Sequence, residues 1–407
     1  MVNEETIAFA RMHRGEDTRE LALHAKPAPG VDITAALEQI AGWNTARIKL
    51  PEWAACDGIW YPPHLSMEQC SSEATARHKA DVARRLAETE AGGATSLVDL
   101  TGGLGVDCSY LARCFDKATY VERQPHLCEL ARHNMAALGL DQVEVVEADA
   151  VDHLRTMEPV SLIYLDPARR DAHGARTYAV SDCTPDALAL LPTLLDKAPH
   201  VMVKLSPMLD WHRAVDDFGG HVAEVHIVST GNECKELLLV LDRERHDALR
   251  VVCAQDGGIV EFRYDVARAC VVEGPEKSSL PRLEEDDWRF LYEPNASVMK
   301  AGCFDLLEAR YEARQVAPNS HVFVSSEPIE GFPGRAFAIE RIATMNKRDL
   351  KEALRDLTHA NITSRNFPLS VAQLRKKLRL KDGGDVYLFA TTDGEGRHII
   401  LRTHKVR

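Results

Sequence analysis

Between residues 96 and 245 short aliphatic runs alternate with helical segments, and the series ends on two strands separated by only five residues. The runs are Leu97–Thr101, Ala118–Glu122, Val143–Ala148, Leu162–Asp166, Val201–Leu205, Val222–Ser229 and Lys235–Leu241, with helical stretches between the first six. Repeated strand–helix units build a buried parallel sheet. Thr230–Cys234 is too short for a helical crossover, so the last two strands must form an antiparallel hairpin. The expected class is therefore α/β, a parallel sheet closed by a terminal antiparallel hairpin.

A chain of 407 residues exceeds what one core supports and suits two to four domains. Four regions are expected: 1–95, 96–248, 249–330 and 331–407. The first reads as a helical cap, with helices at Thr34–Gly42 and Ser71–Ala91 and an irregular Trp/Tyr/Pro-rich stretch from Trp53 to His64. After residue 249, Arg250–Gln255 and Val260–Arg263 form a hairpin around Asp256-Gly257-Gly258, and Pro275–Pro281 reads as a loop. Then come a helix over Ala296–Glu312 and a strand over His321–Ser325. The last region reads as a smaller α+β unit. It has strands at Ala336–Ala343, Asn361–Thr363, Val386–Thr391 and His398–Thr403, and helices at Lys347–Leu357 and Val371–Leu380.

The charged fraction of 27% and the hydrophobic fraction of 45% are ordinary for a globular protein. No run of eighteen apolar residues argues for a membrane span, and the acidic, apolar-poor start MVNEETIAFARMHRGEDTRE does not read as a signal peptide. A cytoplasmic protein without membrane partners is expected. Ten cysteines without a CxxC pair suggest buried free thiols and no metal site. The net charge of -13 opposes nucleic-acid binding, yet Arg341–Lys381 holds eleven Lys/Arg against three Asp/Glu. That stretch suits an RNA partner or the solvated faces of two surface helices.

The densest local signal is Leu97-Val-Asp-Leu-Thr-Gly-Gly-Leu-Gly-Val-Asp107. A strand runs through Asp99 into Thr101, Gly102, Gly103 and Gly105, where a helix opens; glycine lets the backbone turn tightly and approach a ligand. Such a loop alone is shared with dinucleotide enzymes. Glu122 and Asp149 stand at the ends of the next two strands, where each taken singly also suits a helix N-cap. The element order with its terminal hairpin resembles the class I S-adenosylmethionine-dependent methyltransferases, a Rossmann-like fold. That resemblance implies that Asp99 reaches the methionine amino group and that the loop cradles the amino-acid end. It places Glu122 at the ribose hydroxyls, Asp149 at the adenine amine and Ala150 beneath the ring. Three acids suit S-adenosylmethionine better than a pyrophosphate cofactor such as NAD, because nothing basic sits in the loop.

The fourth strand ends in Tyr164-Leu-Asp-Pro-Ala-Arg-Arg-Asp171. Amino-directed methyltransferases carry Asp/Asn/Ser-Pro-Pro-aromatic there. A base amine is a poor nucleophile because its lone pair is delocalised. Asp166 and a carbonyl fixed by Pro167 can accept its N–H bonds and aim the lone pair. Ala168 and Arg169 depart from that pattern. Asp-Pro-Ala-Arg also resembles the Asp-Pro-Pro-Arg loop of uracil-C5 RNA methyltransferases, which need a cysteine; Cys183 is the nearest downstream, without that family's cysteine motif around it. Arg169 and Arg170 suit base stacking, phosphate binding or pairing with Asp171, and Tyr178 is a replacement stacking group. Lys204 and Ser206 end the fifth strand beside the substrate, Asn232-Glu233 turns nearby, and His78 and Lys79 would cover the cofactor.

TGGLGVD, YLDPARRD, KLSPMLD and EPNASVMKAG together resemble a bacterial family of class I methyltransferases with ferredoxin-like and THUMP-like C-terminal domains, from about Ser71 to the end. The resemblance implies a ferredoxin-like unit near 280–330 and a THUMP-like unit over 331–405. THUMP domains bind RNA, which fits Arg341, Lys347, Arg348, Arg365, Arg375, Lys376, Lys377 and Arg379. Three functions are expected in turn: a methyltransferase for a base amine, of guanine or adenine, in structured RNA, a methyltransferase for a small molecule or protein side chain, and a non-catalytic RNA-binding protein. The intact loop glycines, Glu122, Asp149 and Asp166 argue against the last.

Overall fold

The aliphatic runs of the first half form seven strands: β1 (Ser96–Asp99), β2 (Lys117–Glu122), β3 (Val143–Glu147), β4 (Leu162–Leu165), β5 (His200–Leu205), β6 (Val222–Thr230) and β7 (Glu233–Asp242). The computed structural model describes residues 2–24, 29–62, 64–88, 94–169, 179–272 and 283–406. Arg170, Asp171, Tyr178 and Pro275–Pro281 lie outside them, as does the side chain of Arg169. Two compact units result, Met1–Thr230 with Lys235–Asp247, and Gly231–Cys234 with Ala248–Arg407.

In the first unit the strand order is β3-β2-β1-β4-β5-β7-β6. Neighbours from β3 to β5 are parallel, and β7 runs antiparallel to β5, with Val201 opposite Leu241. The turn before β7 is tighter than the sequence suggests: Gly231 and Asn232 both have positive φ, 58° and 62°, as a two-residue hairpin demands. Helices cross between the strands. Asp149, Asp186 and Asp210 each cap the helix that follows, at Ala150–Thr156, Ala187–Lys197 and Trp211–Asp217. The sheet core joins Leu97, Leu162, Tyr164, Met202, Leu238 and Val240 to Val82, Ala83 and Leu86 of the helix Glu73–Glu88.

The N-terminal region is helical, at Glu4–Met12, Thr18–His24, Ile33–Lys49, Pro51–Ala55, His64–Gln69 and Glu73–Glu88. It caps the short buried helix Val106–Leu111. Trp53, Tyr61 and Ala80 pack with Val106 and Tyr110, and the Trp53 indole donates to Ser109 Oγ at 3.2 Å.

In the second unit Ala248–Gln255 and Gly258–Asp265 form the expected hairpin. A separate sheet runs in the order Arg314–Gln315, Phe323–Ser325, Phe290–Pro294, Gly334–Thr344, His398–Lys405, Val386–Thr392, Asn361–Ser364. All its pairings are antiparallel except the last. The strand Phe290–Pro294 was missed in the sequence, and the single helix expected over Ala296–Glu312 is two, Ala296–Ala301 and Phe304–Tyr311. Gly302, at φ 72°, breaks them by terminating the first in the left-handed region. No helix among the described residues is long and apolar enough to cross a membrane.

Candidate active site

The glycine loop is held by backbone hydrogen bonds and by three side chains, Asp99, Tyr120 and Glu122. Thr101 N donates to Asp99 Oδ1 at 2.9 Å, and Gly102 N to the Val121 carbonyl at 2.9 Å. A Cβ on Gly102 would lie 2.2 Å from Tyr120 Cε2, so only glycine lets the loop pass over that ring. Tyr120 in turn donates its hydroxyl to the Gly103 carbonyl. Gly103 N donates to Glu122 Oε2 at 3.1 Å, and Gln124 N to Oε1 at 2.9 Å. The loop and the acid at the end of β2 are thus in contact. Asp149 stands exposed at the end of β3, its Oδ1 accepting from Val151 N at 2.9 Å, and Ala150 begins the helix. The helix-capping alternative is therefore realised for Asp149.

Asp99 is 1% exposed. Burial pushes its carboxyl up to about 8; the Thr101 N–H draws it down, and Asp107 and Asp166 repel its charge. Such an acid holds its proton in the folded chain over a range where the unfolded chain has lost it. Stability therefore falls as pH rises from about 4 to about 8, by about 1.4 kcal/mol per pH unit. Melting of the wild type and of Asp99→Asn between pH 5 and 9 checks this. The wild type should lose ground to the variant steadily and level off above pH 8; parallel curves would show that Asp99 does not titrate there.

On the other side of the loop, Thr101 Oγ1 accepts from Asp166 N at 2.6 Å. Leu165 and Val203 are register partners, so Asp166 and Lys204 follow them side by side at the carboxyl ends of β4 and β5. Lys204 Nζ lies 2.6 Å from Asp166 Oδ2, with side chains 15% and 40% exposed. Burial opposes the lysine's charge, but Asp166, Asp107 and Glu236 outweigh it and raise its pKa. Pro167 is buried, and Ala168–Arg169 pair with Cys183–Thr184 in a short antiparallel bridge. Cys183 thus faces the Asp-Pro loop through its backbone, but its side chain is buried, 6% exposed.

Lys79 does not cover a cofactor. It is fully buried, with Nζ 2.7 Å from both oxygens of Glu236 and 3.2 Å from Asp107 Oδ1. Ser71 Oγ and Tyr164 OH donate to Asp107 Oδ2 at 2.9 and 2.7 Å. The same helix sends His78 Nε2 to within 3.1 Å of His226 Nδ1. The signal for Lys79 was present: it occupies the inward face of its helix with Ala76, Ala80 and Ala83, and Glu236 sits within an apolar strand. Charges at such positions need each other.

In the second unit the basic stretch divides. Arg341, Arg365 and Arg375 are held by Glu352, Glu293 and Asp382. Lys347, Arg348, Lys376, Lys377 and Arg379 are exposed and make no ion pair among the described residues. Lys376 and Lys377 lie on the helix Val371–Leu378, whose Leu374 faces the core.

A family model described as a ferredoxin-like domain matches residues 290–333, and one described as THUMP domain-like matches 334–405. The chain is 25% identical over 350 residues, 83% of its length, to a protein of Mycobacterium tuberculosis, in strains CDC 1551 and H37Rv, covering 86% of it. That protein is described as an uncharacterized S-adenosylmethionine-dependent methyltransferase. A crystal structure of a protein from Porphyromonas gingivalis W83, assigned as a methyltransferase, matches over 100% of both chains with a TM-score of 0.82 and 29% identity.

Proposed function

We propose that this S-adenosylmethionine-dependent methyltransferase acts on a base amine of structured RNA, which its C-terminal unit helps to hold. One observation carries the reading: the Asp166 carboxylate stands at a strand end, its backbone tied to Thr101 of the glycine loop at 2.6 Å. An acceptor for the amine is thereby fixed next to the cofactor loop.

The residues fit the cofactor. Asp99 is a buried carboxyl with no cation bonded to it among the described residues; an ammonium placed there would favour its ionised form and pair with it. Glu122 keeps lone pairs for ribose hydroxyls, Thr101, Gly102, Gly103 and Gly105 form the cradle, and Asp149 with Ala150 would meet the adenine. S-adenosylmethionine supplies an electrophilic methyl group on a positively charged sulfur. Asp166 accepts an N–H of the amine, Pro167 fixes the direction of the backbone beside it, and the lone pair is aimed for in-line attack. The proton shed by the methylated amine leaves toward Asp166, whose carboxylate accepts its N–H. A buried Cys183 thiol is poorly placed to be a nucleophile, which favours the amine over carbon methylation.

The RNA partner rests on the THUMP-like match and on the exposed cations around Lys376 and Lys377. Reversing both, Lys376→Glu with Lys377→Glu, should weaken RNA binding at 150 mM salt by about 10–100-fold and reduce its salt slope by about two. Anisotropy titrations over a salt series read both quantities; unchanged affinity would remove this face from the RNA site. The decisive test is labelled methyl transfer to total RNA from a strain lacking the gene and from its parent. Label should enter a discrete RNA species from the deletion strain and little from the parent. Absence of label in either favours the second reading, a small molecule or protein side chain, for which the internal pairing of Arg341, Arg365 and Arg375 is the supporting observation.

A further inference from the structure

Lys204 is a buried ammonium with donors to spare. Its side chain is only 15% exposed, yet among the described residues Nζ makes a single hydrogen bond, to Asp166 Oδ2. Two of its three N–H donors have no acceptor among the described residues. Asp166 Oδ1 likewise accepts from none of the described residues. Lys204 is the enclosed member of the pair, at 15% exposed, while Asp166, at 40%, opens to solvent, where a ligand can take the place of water. Among the described residues the pair therefore presents a free acceptor and free donors, side by side, next to the cofactor loop.

We infer that Lys204 is a specificity-determining residue: with Asp166 it reads an amino group that adjoins an unprotonated ring nitrogen, the Watson–Crick edge of adenine or cytosine. This rests on the proposed methylation of a base amine. Asp166 Oδ1 accepts the amine N–H while Lys204 Nζ donates to the ring nitrogen, N1 of adenine or N3 of cytosine. Bases read by an enzyme pocket are commonly recognised on this edge once flipped out. Guanine places N1–H and N2–H together there, so its ring N–H would oppose the ammonium donor to donor. Uracil offers no amine. An ammonium raised in pKa by Asp166, Asp107 and Glu236 stays charged throughout the physiological range and cannot adapt by becoming an acceptor.

The first measurement is the identity of the product. RNA from the deletion strain, labelled by the wild-type enzyme and digested to nucleosides, should yield N6-methyladenosine or N4-methylcytidine. Label in N2-methylguanosine, on a ring nitrogen or on carbon overturns the inference and leaves RNA methylation standing. No label in RNA overturns both. The second uses a transcript bearing the mapped site with 1-deazaadenosine, or 3-deazacytidine, in place of the target. With wild type the missing nitrogen should lower kcat/KM and binding in the presence of S-adenosylhomocysteine by about 10–100-fold. With Lys204→Met the same transcript should cost less than about threefold, since the partner is already gone. Equal penalties in both proteins overturn the assignment. Lys204→Gln keeps one neutral donor and should retain part of the penalty, and a preserved cofactor-induced melting shift certifies that each variant is folded.

Discussion

Asp166→Ala should lower kcat by about 10²–10⁴-fold while the cofactor still raises the melting temperature as it does in wild type. The side chain is asked for two things at once, an acceptor that orients the amine and a base that takes its proton. Alanine removes both. It leaves the glycine loop intact, because Thr101 is held by the Asp166 backbone N–H and not by the carboxylate. The Lys204 ammonium then loses its bonded partner but stays near Asp107 and Glu236, so the fold should survive. Asp166→Asn keeps an oxygen acceptor without the charge and should fall between the two. Single-turnover methyl transfer to RNA from the deletion strain measures this, and equal rates for wild type and Asp166→Ala would remove Asp166 from the chemistry.

Lys79→Met should destabilise the first unit by about 3–5 kcal/mol, because it leaves the Glu236 and Asp107 carboxylates buried without their cation. Glu236 is only 2% exposed and Asp107 9%, so the two carboxylates have little access to water. For a unit of this size the melting temperature should drop by roughly 10 °C. Adding Glu236→Gln to Lys79→Met removes one stranded charge and should recover part of the loss. Urea unfolding of wild type and the two variants tests this. A single-variant loss under about 1 kcal/mol would mean that the three groups are not coupled as a buried cluster. Tyr164 and Ser71 also serve Asp107, so the cluster ties β4, which ends at the Asp-Pro loop, to the N-terminal helices. A weakened cluster should therefore loosen Asp166 as well.

Much of the first unit was legible because period and punctuation agree there. The first three aliphatic runs lead within a few residues to Gly105, Pro125 and Asp149, which open the next helix, and the strand bounds differ from expectation by a residue or two. The hairpin was legible from the length of its connection alone. In the second unit the signal weakens. Phe290–Pro294 was missed because tyrosine and glutamate break its apolar pattern, yet both are buried between neighbouring strands, and Glu293 is held there by Arg335 and Arg365. The helix break at Gly302 was hidden by helical spacing on both sides of it.

The sequence by itself determined the order and type of elements, the parallel sheet with its closing hairpin, and the acids at the ends of β1, β2 and β3. These follow from local periodicity and from turn chemistry, which act over a few residues. Only the tertiary structure decided which charges meet. Lys79 and Glu236 are 157 positions apart and Asp166 and Lys204 are 38 apart. Their pairing depends on strand order and register, which no local pattern encodes. The same holds for the basic stretch, where a count of charges could not separate Arg341, Arg365 and Arg375, paired with Glu352, Glu293 and Asp382, from Lys376 and Lys377, left facing solvent. An arginine already paired with a carboxylate of its own chain is less available to a phosphate than Lys376 and Lys377, which have no such partner among the described residues.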